Sequence, residues 1–234
     1  MSDFHVQRLN EPLPAEPLAT ARDWLAEATR GRAQPNPNAI VLATVGADGS
    51  PSSRVVLAKD IVLPAGYLVL YTNYESRKAA DMAANPRVAA LFHWDHLHRQ
   101  VRIEGRVVRS PTAESDAYFS SRAWQSRLGA WASAQSRPVA SREALIEALR
   151  AAGRRFHTPP VGPDAAAGAP AAGEVAVPRP PHWGGYRLWA EAVELWVEGE
   201  FRIHDRARWV RTLNPGADAH SFASTPWRVE RLQP

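Results

Sequence analysis

AIVLATVGADGSPSSRVVLAK, residues Ala39 to Lys59, reads as a β-hairpin. Ala39 to Val45 is apolar and β-branched, as a buried strand requires. Gly46 to Ser50 (GADGS) supplies the turn, and Ser52 to Lys59 is the return strand. Further on, Tyr67 to Asn73 and Arg87 to Trp94 predict two more strands. A short helix lies between them, starting at Ser76 and stopped by Pro86. His98 to Arg109 alternates, with Val101, Ile103, Gly105 and Val107 on one side and Gln100, Arg102, Glu104 and Arg106 on the other. Upstream, Leu18, Ala21, Trp24, Leu25 and Ala28 fit one face of a helix from Glu16 to Arg30, and the residues before it carry no pattern and are expected to be loose.

The second half begins helical. Ser110 is the expected cap and Pro111 the first turn of one helix, and Ser141 caps another that aligns Leu145, Leu149, Ala152 and Phe156. Pro159 to Pro181 holds 7 Pro, 7 Ala and 3 Gly in 23 residues, which predicts a linker-like excursion and not a fold element. Strands are expected again at Tyr186 to Ala190, Val193 to Val197, Arg206 to Thr212 and Trp227 to Leu232, with a loop from Asn214 to Thr225. Short strands and hairpin turns without βαβ alternation predict a mainly β fold with flanking helices (α+β), an antiparallel barrel. The last strands are too few for a separate core, so residues 16–234 are expected to form a single domain after a flexible segment of residues 1–15.

Composition narrows the function. The chain has 234 residues, 45% of them hydrophobic, 9 tryptophans and no cysteine, which excludes a disulfide-stapled module, a Cys-ligated zinc site and a catalytic cysteine. Neither a membrane span nor a signal peptide is legible, so a cytosolic protein is expected. The net charge of +4 is too small to signal nucleic-acid binding. P-loop, GxGxxG and GxSxG motifs are absent. His93, His96 and His98 lack the companions of a metal site, and no metal is expected.

Four clusters invite an anion. Ser76, Arg77 and Lys78 open a helix, where free N–H groups and the dipole favour negative charge; an ordinary cap with solvated cations would look the same. Arg54 and Lys59 face opposite sides of a strand, and Lys59 shares a side with Val55 and Leu57, where it needs an anion or a route to water; a frayed strand end explains it equally. Tyr118, Arg122 and Ser126, spaced by four, can share a helical face and wrap a phosphate, or be scattered surface groups. Alternation puts Arg202, His204 and Arg206 on one side of a strand, which suits an anionic ligand or a charged edge strand.

The ordered blocks RVVLAK, YTNYESRK, NPRVAALFHW, RQVRIEGRV, YFSSRAWQSRLGAWASAQS, HWGGYR, ELW, RIHDR and WRVERLQP resemble the pyridoxine (pyridoxamine) 5'-phosphate oxidase family, from about Glu16 to Pro234. The resemblance implies an FMN-binding split β-barrel homodimer with the flavin at the subunit interface. By position, Arg54, Val55, Val56, Leu57, Ala58, Lys59, Tyr71, Thr72, Arg77, Lys78, Gln100, Gln135, Ser136, Trp196 and Arg206 would hold FMN. Lys59, Tyr118, Arg122 and Ser126 would hold the substrate phosphate, and Arg202 and His204 would be catalytic, over the pyridine ring. The implied reaction oxidises pyridoxine or pyridoxamine 5'-phosphate to pyridoxal 5'-phosphate, with O2 reduced to H2O2. The chain departs from the family pattern in having no tyrosine in its first 14 residues, in Ala123-Trp124-Gln125, in Arg127 and in the long excursion. A phenazine-type flavin oxidase, a flavin- or pyridoxal-phosphate-binding protein without turnover, and an RNA-binding barrel are the competing expectations.

Overall fold

The computed structural model describes residues 8–162 and 175–234. These form two compact units. One holds the described residues up to Leu70 with Asp81–Val108 and Tyr186–Pro234; the other holds Tyr71–Ala80 with the described residues of Arg109–Gly185.

The first unit opens with α1 (Pro17–Gly31), where Pro17 sits in the first turn and the Glu16 carboxylate accepts from the Leu18 N–H at 3.1 Å. Strands β1 (Ala39–Val45) and β2 (Pro51–Leu57) form the hairpin, in antiparallel register from Ala39 opposite Leu57 to Val45 opposite Pro51. Next come β3 (Asp60–Val62), β4 (Tyr67–Asn73), α2 (Arg77–Ala84), β5 (Arg87–Trp94) and β6 (Arg99–Arg109). After the second unit's helices the chain returns as β7 (Trp183–Val197), β8 (Asp205–Val210), β9 (Leu213–Pro215), β10 (Phe222–Ser224) and β11 (Arg228–Leu232). The sheet runs β11-β8-β7-β6-β5-β1-β2, with β4 pairing β3 and β7; β9 and β10 form a small sheet of their own. Period-2 burial along β1, β5 and β6 sends Ile40, Leu42, Phe92, Trp94, Val101 and Ile103 into the core, as the alternation requires. The mainly β, antiparallel expectation is met.

The second unit is helical: α3 (Thr112–Ser121), α4 (Trp124–Ala132) and α5 (Arg142–Arg155). One core cluster joins Trp124, Leu128 and Ala152 to Val175 and Val177, with Leu149, Phe156 and Val161 against it. A second joins Phe119, Ala130 and Trp183, with Tyr71 and Tyr118 beside them.

Several expectations differ from the structure. The two strands from Tyr186 and Val193 are one strand, β7, because pairing with β8 carries the ladder on from Ala192 to Val197. The loop from Asn214 to Thr225 contains most of the β9–β10 pair. The excursion from Pro159 to Pro181 is not spacer throughout: valines at 161, 175 and 177 bury against α4 and α5, while residues 163–174 lie outside the described set. Leu145 remains 48% exposed while Leu149, Ala152 and Phe156 pack. Pro111, not Ser110, takes the cap position of α3, and Ser110 is buried with its N–H on Gly185 O at 2.9 Å. Residues 8–15, expected to be loose, make defined contacts: Leu9 N–H donates to Asp205 at 2.8 Å, and Trp209 Nε1 donates to Pro14 O at 2.8 Å. Residues 1–7 lie outside the described set.

Gly105 is where β6 meets β7 most closely, since a Cβ there would lie 1.9 Å from Trp189 O. Gly105→Ala should therefore destabilise the protein by about 3 kcal/mol in urea unfolding. Gly129, inside α4 with open space around it, gives the control: Gly129→Ala should stabilise by about 0.5–1 kcal/mol. Equal effects of the two substitutions would contradict the packing described.

Candidate active site

Lys78 lies in the first turn of α2 and is 8% exposed, although it is a cation. Its ammonium donates to Gln135 Oε1 at 2.7 Å and to Thr72 Oγ1 and Ser76 Oγ at 3.1 Å each. Thr72 Oγ1 also donates to Gln135 Oε1 at 3.2 Å. The ammonium is thus held by side-chain oxygens at the start of α2, where the N–H groups of the first turn favour an anion. Arg77, beside it, is exposed, and Ser136 follows Gln135 with a positive φ of 72°. Lys78, Thr72 and Gln135 are thus brought together in one hydrogen-bonded cluster.

The second cluster is aromatic. Tyr71 stacks on Tyr118 at 3.9 Å between centroids and on Trp183 at 5.5 Å, both nearly parallel. The Arg122 guanidinium sits 4.7 Å from the Trp183 ring centroid and 5.4 Å from that of Phe119. Its Nη1 is buried with no hydrogen-bond partner among the described residues. Burial pulls the guanidinium below its ordinary pKa, and Tyr118 opposes this in part. Tyr118 and Arg122 therefore meet, but Ser126 does not share their helical face. α3 ends at Ser121, Arg122 is extended (φ −76°, ψ 149°), and Ser126 lies exposed on α4. Burial of Trp124 at the start of α4 accompanies the break, which the spacing of four did not reveal.

In the first unit, Gln100, Trp196, Arg202 and His204 line one cavity of about 260 Å³, together with His93, Asp95, His98, Arg99 and Glu198. His204 lies on Trp196 (centroids 4.6 Å apart), and its Nδ1 accepts from Gly199 N–H at 3.2 Å, which leaves the ring proton at Nε2. His98 Nδ1 meets Glu198 Oε2 at 2.5 Å, and Glu198 N–H donates to His98 O at 2.9 Å, tying the strand ends that flank the cavity. Arg202 is not on a strand: it lies in a turn with Phe201, at φ 68° and 55°, so the expected alternation of Arg202, His204 and Arg206 fails. Arg206 is in β8 and spends its Nε and Nη2 on Glu194 Oε1, at 3.0 and 2.8 Å. Glu194 is 5% exposed and also binds Arg102.

The β2 residues are differently disposed. Arg54 donates to Leu42 O, Thr44 Oγ1 and Ser52 Oγ, with Asp81 at 3.6 Å. Val55 is 65% exposed, Val56 and Leu57 are half-buried and Ala58 is buried. Lys59 lies beyond the end of β2, exposed, with its N–H on Val69 O at 2.7 Å, so the apolar side expected around it does not form. Sequence reasoning missed Trp183, Glu194, Asp81 and the His98–Glu198 pair. For Trp183 the signal was present in the two glycines that follow it.

Comparison with known proteins assigns the chain. Residues 27–152 match the family model described as pyridoxamine 5'-phosphate oxidase, and residues 183–234 match that of the pyridoxine 5'-phosphate oxidase C-terminal dimerisation region. The pyridoxine/pyridoxamine 5'-phosphate oxidase of Cupriavidus necator is 45% identical over 94% of this chain and 89% of its own length. That of Paracoccus denitrificans is 43% identical over 94% and 95%. Among solved structures, PhzG from Burkholderia lata 383, in complex with tetrahydrophenazine-1-carboxylic acid, matches with a TM-score of 0.75 at 28% identity, covering 94% of each chain. A pyridoxamine 5'-phosphate oxidase-related, FMN-binding protein of Nostoc punctiforme shares the fold, with a TM-score of 0.63 at 18% identity over 93% of this chain and 97% of its own. The chain belongs to the pyridoxine/pyridoxamine 5'-phosphate oxidase family.

Proposed function

We propose that this chain is an FMN-dependent oxidase that converts pyridoxine 5'-phosphate and pyridoxamine 5'-phosphate to pyridoxal 5'-phosphate, reducing O2 to H2O2 and, with the amine, taking up water and releasing ammonia, and that it acts as a homodimer with FMN at the subunit interface. The observation that carries this reading is the 43–45% identity to oxidases of that name over 94% of the chain. The match of residues 183–234 to a dimerisation region supports self-association.

FMN, when bound, would supply the acceptor for a hydride from substrate C4' and a route for its electrons to O2. The residues present fit it: the Lys78 ammonium, fixed by Gln135, Thr72 and Ser76 at the start of α2, suits a flavin phosphate. Lys78, Thr72, Gln135, Ser136, Tyr71 and Arg77 are proposed to hold FMN, with Arg54 to Lys59, Gln100, Trp196 and Arg206. For Arg54 and Arg206, whose guanidinium groups already serve Asp81 and Glu194, the proposed part is to fix the backbone and neighbours around the flavin. Tyr118, Arg122, Ser126 and Lys59 are proposed to bind the substrate phosphate. That group lies remote from C4', so its binding energy can align the reacting carbon without touching it. Arg202 and His204 are proposed to orient the pyridine ring. His204, fixed on Trp196 with Gly199 N–H at Nδ1, keeps Nε2–H as a directed donor.

A phenazine-type oxidase is the second reading, favoured by the fold likeness to PhzG. Its 28% identity falls below that of the pyridoxine/pyridoxamine 5'-phosphate oxidases.

Purified protein supplied with FMN should turn yellow, consume O2 and form pyridoxal 5'-phosphate from either ester. Flavin binding without turnover of either ester would overturn the reading. Arg122→Ala should raise KM for the esters about 100-fold and leave the FMN Kd within about twofold, because a charged hydrogen-bonding partner of phosphate is worth about 2–3 kcal/mol. Lys78→Met should weaken FMN at least about tenfold in a flavin-fluorescence titration. Parallel loss of both ligands in both variants would show that the two clusters do not divide the ligands.

A further inference from the structure

Trp183 lies outside every set assigned above, yet it touches all of the second cluster. It is 7% exposed, stacks 5.5 Å from Tyr71 and 6.2 Å from Tyr118, and has the Arg122 guanidinium over its face at 4.7 Å. We propose that Trp183 is the positioning residue of the substrate-phosphate subsite, its indole face presetting Arg122 and Tyr118 to receive a phosphate ester. The proposal deepens the reading of Arg122 and Tyr118 given above and rests on it.

The indole is fixed by the chain around it. Arg179 donates from Nη1 to Trp183 O at 2.7 Å and from Nε to Asp116 at 2.6 Å. Trp131 Nε1 donates to Pro178 O at 2.7 Å, and His182 Nε2 donates to Ala130 O at 3.0 Å. Gly184 and Gly185 complete the arrangement. A Cβ at 184 would lie 2.2 Å from the Tyr74 hydroxyl, and one at 185 would lie 2.6 Å from Ser110 Oγ. The segment that composition reads as the end of a linker thus builds a rigid aromatic platform.

A guanidinium stacked on a ring is held by its face and keeps its N–H donors in the plane, where a phosphate can take two at once. Arg122 Nη1, buried with no hydrogen-bond partner among the described residues, is a donor that a phosphate oxygen would satisfy. Without the indole, the side chain gains rotamers that it must surrender on binding.

The test is the Kd of pyridoxal 5'-phosphate on FMN-loaded enzyme, measured by absorbance, with kcat and KM alongside. Trp183→Leu should raise that Kd and the ester KM about tenfold, while kcat and FMN affinity stay within about twofold; Trp183→Phe should stay within about threefold of the parent. In an Arg122→Ala background the leucine substitution should add less than about twofold, because the indole acts through Arg122. Fluorinated tryptophans at position 183 keep the ring's shape and drain its negative face, so Kd should climb with each fluorine even if the leucine variant folds badly. A flat fluorine series, or a full leucine effect without Arg122, overturns the proposal. A parent that binds pyridoxal 5'-phosphate but oxidises neither ester overturns the functional reading and leaves this one standing. A parent that does not bind it overturns both.

Discussion

The fold takes several cations out of water, and the way each is compensated separates scaffold from site. The half-buried Arg206 and the exposed Arg102 converge on the buried carboxylate of Glu194, and the half-buried Arg54 lies beside Asp81. Such pairs are closed: breaking one strands a charge, and nothing in them calls for a ligand. Lys78 and Arg122 are compensated differently. The ammonium is handed to Gln135, Thr72 and Ser76, and the guanidinium is laid on Trp183 and Phe119. Ring faces hold the guanidinium in place without cancelling its charge, so Arg122 keeps its attraction for an anion, and Lys78 presents a fixed ammonium at the start of α2.

This distinction supports the proposed division into two phosphate subsites. A flavin phosphate and a substrate phosphate each need a fixed positive donor, and each donor must be held when its ligand is away. Preorganisation of that kind shifts the entropic cost of binding onto folding. The turn bearing Arg202 and His204 follows the same logic by other means. Left-handed backbone at Phe201 and Arg202, the Gly199–His204 hydrogen bond and the Trp196 ring fix the imidazole where a side chain on a regular strand would face only a neighbouring residue.

Much of the sheet was legible because period-2 patterning is local. β1, β4 and β5 fall on the residues whose alternation or β-branching marks them. Tertiary choices were not legible. The spacing of Tyr118, Arg122 and Ser126 is helical, yet α3 stops at Ser121 and Trp124 is buried at the head of α4. Alternation through RIHDR suggested a strand, but positive φ at Phe201 and Arg202 puts Arg202 in a turn and the strand begins only at Asp205. The interruption between Ala190 and Val193 looked like a strand end, but β7 runs through it with partners on both sides. Trp183, quoted in the block HWGGYR, was given no role because its contacts with Tyr71, Tyr118 and Arg122 are far away in sequence. The charged site residues stood out as clusters suited to an anion, and the ordered blocks supplied the ligands proposed for them.

The proposed division of the two phosphates between Lys78 and Arg122 is tested directly by 31P NMR of FMN-loaded protein saturated with pyridoxal 5'-phosphate. Two bound resonances should be resolved. Arg122→Ala should displace only the pyridoxal phosphate signal, and Lys78→Met only that of the flavin. A pyridoxal phosphate resonance indifferent to Arg122, or both signals moving together in either variant, would contradict the account.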